Sequence, residues 1–308
     1  MTLLSWITQY GNVMALLLPV FVCGGVGAVW ALKKKSYPRE FISTLVTSAT
    51  TPALVFHTLL TTQLNDALLL QILTAALLAL AVMACFAAIL LYLARLPVSA
   101  LLPTATFPNA GNLGLPVAQL AFGETGLTVA VTIFAIFSLV QHTLAVWLLT
   151  WAGRATTTQQ SGWPRGVAVA CIAAVGLRLL DFSLPAPVLA SARLVGSLTV
   201  PLMLLSLGYA LATVSRSSIG SGSVVGVIRL AAGAIAGITV TSLIDLPPLI
   251  AGVVVLQLLM PVAVVSYLYT ERYTNAGEIS AGAILVSTAL FLIFSPLLIG
   301  WAGATPLG

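Results

Sequence analysis

Phe107-Pro-Asn-Ala-Gly-Asn-Leu-Gly-Leu-Pro116 interrupts a segment that otherwise reads as a membrane span. Two prolines, two glycines and two asparagines in ten residues cannot form an undisturbed helix. Proline removes an amide donor and clashes with the preceding turn, and glycine loosens the backbone. In lipid the freed backbone groups must find partners inside the protein or in a water-filled cavity. Paired interruptions of this kind, one in each half of a chain, point to a binding site near the midplane. The second half supplies its own at Met260-Pro261.

Composition places these breaks in a bilayer. Of 308 residues, 60% are hydrophobic and 6% charged, and the mean hydropathy is +1.12. A soluble domain carries about a quarter charged residues, so the chain reads as an all-α integral membrane protein. The net charge of +5 does not form a basic face, and nucleic acid is excluded as a partner. Cys23, Cys85 and Cys171 are scattered through apolar segments and make neither a metal site nor a disulfide framework.

With about 20 residues per span, ten transmembrane helices are expected. Their ranges are 9–32, 41–63, 67–94, 99–122, 126–152, 165–183, 190–213, 223–244, 248–270 and 278–302. The first lacks a basic leader and reads as a span rather than a cleaved signal. Lys33, Lys34, Lys35, Arg39, Arg95, Arg154, Arg165, Arg216, Arg229 and Arg272 all fall to one side, taken as cytoplasmic. Only Arg178 and Arg193 fall to the other, so both termini are expected outside a plasma or inner membrane. Arg178 is placed to snorkel outward, to pair with Asp181 or to bind an anion.

The polar stretch 154–164 divides the chain into residues 1–153 and 165–308, five spans each. An odd number of spans gives the halves opposite orientation. Trp151-Ala-Gly153 recurs as Trp301-Ala-Gly303 at an offset of 150, Pro52 matches Pro201 at 149, and Pro116 matches Pro261 at 145. Two inverted five-helix repeats, with crossed and proline-broken helices four and nine, are the expected fold.

Half-helices starting at Pro116 and at Pro261 would each present free amides and a positive dipole end. If two N-termini converge, the site favours an anion. Its candidate lining is Asn109, Gly111, Asn112, Gly114, Pro116, Gln119, Gln257, Met260 and Pro261. His57 and His142 lie inside spans, His142 beside Gln141 with Ser138 four residues back, and either can relay a proton or simply satisfy neighbours. No Asp or Glu occupies the middle of a span, which argues against a carboxylate-based proton pump. Sodium held near Asn109, Asn112 and Gln257 stays open, so the coupling ion could be H+ or Na+, and no other cofactor is expected. Paired-histidine metal helices, glycine-rich phosphate loops and Ser-His-Asp sets are missing, so an enzyme is not expected.

Pro52-Ala-Leu-Val-Phe56, the Asn109–Pro116 run followed by Phe122-Gly123, Pro201-Leu-Met-Leu-Leu-Ser-Leu-Gly208, and Met260-Pro261 with Ser287-Thr288 resemble the auxin efflux carrier family. The likeness covers essentially the whole chain and is most specific in span four. It implies a ten-span fold shared with bile-acid-sodium symporters. Spans one, two, six and seven would form a scaffold that often dimerises, and spans 3–5 and 8–10 a moving transport unit. It implies small organic anions as substrates, auxin-like or dicarboxylate, carried by elevator-type alternating access with efflux favoured. A sodium-coupled symporter and a non-transporting ligand sensor are the rival expectations. The long central loop of many plant exporters is absent here, so loop phosphorylation does not carry over.

Overall fold

The computed structural model describes residues 3–61, 64–141, 144, 165–213 and 219–303. His142, Arg154 and Arg216 lie outside the described residues. Everything described is helix or short connection, with a single two-residue bridge and no strand. Five helical stretches are long and apolar enough to cross a membrane: Asp66–Leu93, Ala110–Val140, Ala186–Tyr209, Ile219–Leu243 and Gly277–Trp301. Shorter apolar helices, among them Gly166–Leu179 and Pro248–Leu258, accompany them.

The first helix, α1, runs Leu3–Leu32. The expected second span comes in three pieces: α2 (Arg39–Leu45), a π-helical turn Val46–Thr50, and α3 (Thr51–Thr61). Next come α4 (Asp66–Leu93) and α5 (Val98–Thr106). A second π-helical turn, Ala110–Gly114, leads into α6 (Leu115–Val140). The second half holds α7 (Arg165–Leu179), α8 (Ala186–Ser197), α9 (Thr199–Thr213) and α10 (Ile219–Leu243). It closes with α11 (Pro248–Leu258), α12 (Val264–Tyr273) and α13 (Gly277–Trp301).

Both π-helical turns end two residues before a proline, Pro52 and Pro116. Neither proline can bond the carbonyl four residues back, and its ring would strike that carbonyl in a regular helix. Widening the turn relieves the clash. Within α6 the chain turns at Gly123 (φ 67°, ψ −158°), a backbone region open almost only to glycine. That turn falls between the expected spans 99–122 and 126–152.

Lipid supplies little hydrophobic drive between helices, so small residues set the close contacts. Helix α1 packs on α9. A side chain at Gly27 or at Gly208 would enter the backbone of the facing helix, at Leu205 and at Gly24 respectively. Tyr37, just after α1, donates to or accepts from Ser206 at 2.7 Å and stacks on Tyr209. Helix α3 packs mainly on α7 and α8, α4 on α10, and α10 on α13. Arg178 is paired by the fold with Asp66 at 3.0 Å and with the Leu64 carbonyl at 2.7 Å rather than with Asp181. The reason is geometric: Asp181 lies in the left-handed turn that ends α7 (φ 49°), whereas Asp66 opens α4 alongside.

Candidate functional site

The two interruptions meet. Helix α5 ends at Thr106, α11 ends at Leu258, and the short extended segments beyond them pair antiparallel, Pro108 opposite Val262. Asn109 donates its amide to the Pro261 carbonyl at 2.7 Å, and Ala263 donates to the Phe107 carbonyl at 3.1 Å. Pro108 and Pro261 have no amide to place. The remaining amide of the bridge, Val262, donates to Ser287 Oγ at 3.0 Å. Backbone that could not survive in lipid is thereby accounted for.

The bridge alters two sequence expectations. First, the paired residues are Pro108 and Val262, so Pro261 faces Asn109 rather than Pro116. The following helical turns start at Ala110 and Val264, which leaves Pro116 inside the first turn of α6 and Pro261 in the extended link. Second, the antiparallel pairing sets each N-terminal end beside the other span's C-terminal end. Opposite half-charges therefore adjoin, and the helix dipoles alone do not create a net positive site.

Around the bridge stands a set of polar side chains without partners among the described residues. Asn109 is 4% exposed and its Nδ2 has no acceptor. Gln257 is 0% exposed, and neither its Nε2 nor its Oε1 is bonded. Thr106 and Thr288 carry buried, unpaired hydroxyls, Thr288 next to the Ser287 that holds the bridge. A buried polar group left unpaired costs about 1–3 kcal/mol, so this set is a sizeable fraction of a fold's net stability. Asn112 is half-buried in the π-helical turn, four residues before Pro116, which has no amide to offer. Gly114 lies directly against the Gln257 amide, so any side chain there would displace it. Gly111 packs under Phe134 and Met203, bringing α9 onto the first break.

Sequence-predicted residues divide accordingly. Asn109, Gly111, Asn112, Gly114, Gln257, Met260 and Pro261 belong to the bridge and its flanks, with Pro116 one turn away. Gln119 does not join them: its Nε2 donates to Glu124 at 3.0 Å, at the exposed end of the helix near the Gly123 turn. His57 is half-buried on α3, whose main neighbours are α7 and α8. Gln141, beside His142, donates to Ser266 Oγ at 3.1 Å. Thr104, fully buried, meets Thr270 at 3.1 Å and Ser280 at 3.0 Å, tying α5 to α12 and α13 beside the bridge.

The residue sequence reasoning misplaced is Arg229. Counted above with the cytoplasmic loops, it stands near the middle of α10 and is 0% exposed. Its Nη2 donates to the Leu258 carbonyl at 2.7 Å, capping the end of α11 at the second break, and its Nη1 points to Met83 Sδ at 3.2 Å. Gly233 permits this: a side chain there would enter the Leu258 carbonyl. An arginine at the centre of a span costs about 2.5–3.5 kcal/mol on insertion scales, and one charge-assisted bond returns about 1.5–3. Thr50, Thr51 and Thr199 were also missed, each a buried hydroxyl without a partner among the described residues. All three lie within two residues of Pro52 or Pro201, and that proximity was the available signal.

No curated protein matches the chain. The profile of the membrane transport protein family matches residues 12–164 and 165–299, all of the chain but its ends. With the apolar helices and the bridged breaks, that match fixes the assignment: the chain is a multi-pass membrane protein belonging to the membrane transport protein family, the family of the auxin efflux carriers.

Proposed function

We propose that the protein is a secondary transporter of a small organic anion, which binds at the paired breaks and crosses by elevator-type alternating access. The carrying observation is the set of buried amides and hydroxyls at the bridge, Asn109 and Gln257 foremost, that have no partner among the described residues. A ligand with hydrogen-bonding oxygens recovers what those groups forgo. Packing supports two inverted five-span repeats. The expected first span packs on the seventh, the second on the sixth and the third on the eighth, a pattern that an exchange of halves leaves unchanged. The tight α1–α9 contact suits a rigid scaffold, and the hydroxyl ties of α5 to α12 and α13 suit a unit that moves as one body. Homodimerisation through the scaffold and termini on the outer side belong to the same reading. Without Arg229, nine loop cations against two still carry that orientation.

Efflux is the proposed direction. A cell interior that is negative expels anions, by about 2.3 kcal/mol per charge per 100 mV. Counterflow of radiolabelled organic acids in proteoliposomes tests the proposal, with Asn112→Ala and Gln257→Leu as site variants. Transport in the wild type, slowed about tenfold or more in both variants, is the expected result. Wild-type rates in both would remove the site. The sodium-coupled alternative predicts that binding requires Na+, and the ligand-sensor alternative predicts binding without counterflow.

A further inference from the structure

The dipole ends at the bridge cancel in pairs, so something else must set the charge preference of a site built from neutral amides. We infer that Arg229 sets it: the guanidinium is a fixed counter-charge that makes the paired breaks prefer a carboxylate to a neutral ligand of the same shape, without touching it. This deepens the proposed function and rests on it.

Three observations carry the inference. Arg229 is fully buried and has no carboxylate at ion-pair distance among the described residues, where the one ion pair is Arg178–Asp66. Asp66, Glu124, Asp181, Asp245 and Glu278 are all exposed. Its hydrogen-bond neighbours are neutral, a thioether and a carbonyl, so no counter-ion among the described residues screens its charge. Finally, the carbonyl it caps belongs to Leu258, two residues before Met260, within about 7 Å even for a fully extended chain. Capping offsets the negative half-charge that α11 ends on, while the end of α5 at the first break has no such cation among the described residues. The balance at the bridge therefore tips positive. In a low-dielectric interior such a charge reaches well beyond contact distance.

A purely structural cap is the competing role, and Met83 separates the two. Met83→Glu puts a carboxylate where the sulfur meets Nη1. It neutralises Arg229 and leaves the bond to Leu258 in place. Binding of indole-3-acetate against indole-3-acetamide, and of malonate against malonamide, is measured on the full chain in nanodiscs. The wild type is expected to favour each acid over its amide. Met83→Glu should lower that ratio at least tenfold with amide binding unchanged, whereas Met83→Leu and the charge-keeping Arg229→Lys should preserve it. Equal ratios in wild type and Met83→Glu overturn the inference, as does a wild type that binds acid and amide alike. Should Met83→Glu not yield folded protein, loss of the acid preference in Arg229→Lys overturns it and retention supports it. A wild type that binds neither member of any pair overturns the inference together with the reading beneath it.

Discussion

The two breaks join in one bridge yet are built from opposite materials. The first, residues 107–114, is rich in side chains that donate and accept, and a π-helical turn widens its exit. The second, residues 259–263, has no polar side chain of its own and depends on other helices: Ser287 for the Val262 amide, Arg229 for the Leu258 carbonyl. Opposite Asn109 in the register stands Pro261, and Ser266, in the helix beyond the second break, is already engaged by Gln141. One break thus offers hydrogen bonds and the other offers charge. Two repeats of one ancestral shape, as proposed here, can divide labour in this way because the bridge fixes backbone alone and leaves the side chains free to diverge.

Substitutions that attack one side and spare the other sharpen this contrast. The largest effect is expected at Gly233. In Gly233→Val the new side chain meets the Leu258 carbonyl, at a cost on the order of 3 kcal/mol from overpacking. A lowered thermal midpoint and a collapsed gel-filtration peak would record it, while an intact wild-type peak would mean that α10 and α11 need not approach so closely. Gln257→Leu should do two opposite things. Removing a buried, unbonded amide stabilises the protein by about 1–3 kcal/mol, seen as a higher melting temperature, while anion binding falls tenfold or more. Unchanged binding would remove Gln257 from the site. Asn109→Ala and Asn112→Ala should each slow counterflow about tenfold with little change in melting temperature, since neither side chain holds the bridge. The smallest effect is expected for Gln119→Ala. It severs only the bond to Glu124, and transport should stay within about twofold of wild type because an exposed polar pair contributes under about 1 kcal/mol.

Much of this arrangement was legible beforehand, for definable reasons. The Asn109–Pro116 run and Met260-Pro261 announce broken helices because no other backbone tolerates such residues in a span. Their pairing, and the place of Asn109 and Gln257 beside it, followed from that single constraint. Three features were illegible because they depend on distance rather than local chemistry. The proline markers drew Pro116 and Pro261 together, but backbone hydrogen bonding across the bridge sets Pro261 against Asn109. Gln119 reads as lining by proximity in sequence, yet one turn further along the helix points it at Glu124. Arg229 lies six residues into the expected span 223–244 and looked like a loop cation. Only the close approach of α10 to α11 at Gly233 buries it. The two ends of the transport family match, by contrast, needed no geometry at all.

Asn112 is half-buried in the π-helical turn that leaves the first break and offers the most direct test. Cys23, Cys85 and Cys171 would first be replaced by serine, giving a background for a single Asn112→Cys. The rate of maleimide modification is then measured with and without saturating organic anion. The paired-break site predicts that the anion slows modification at position 112 at least fivefold and leaves a Gln119→Cys control unchanged. Equal rates at 112 with and without an anion that the protein transports would contradict it.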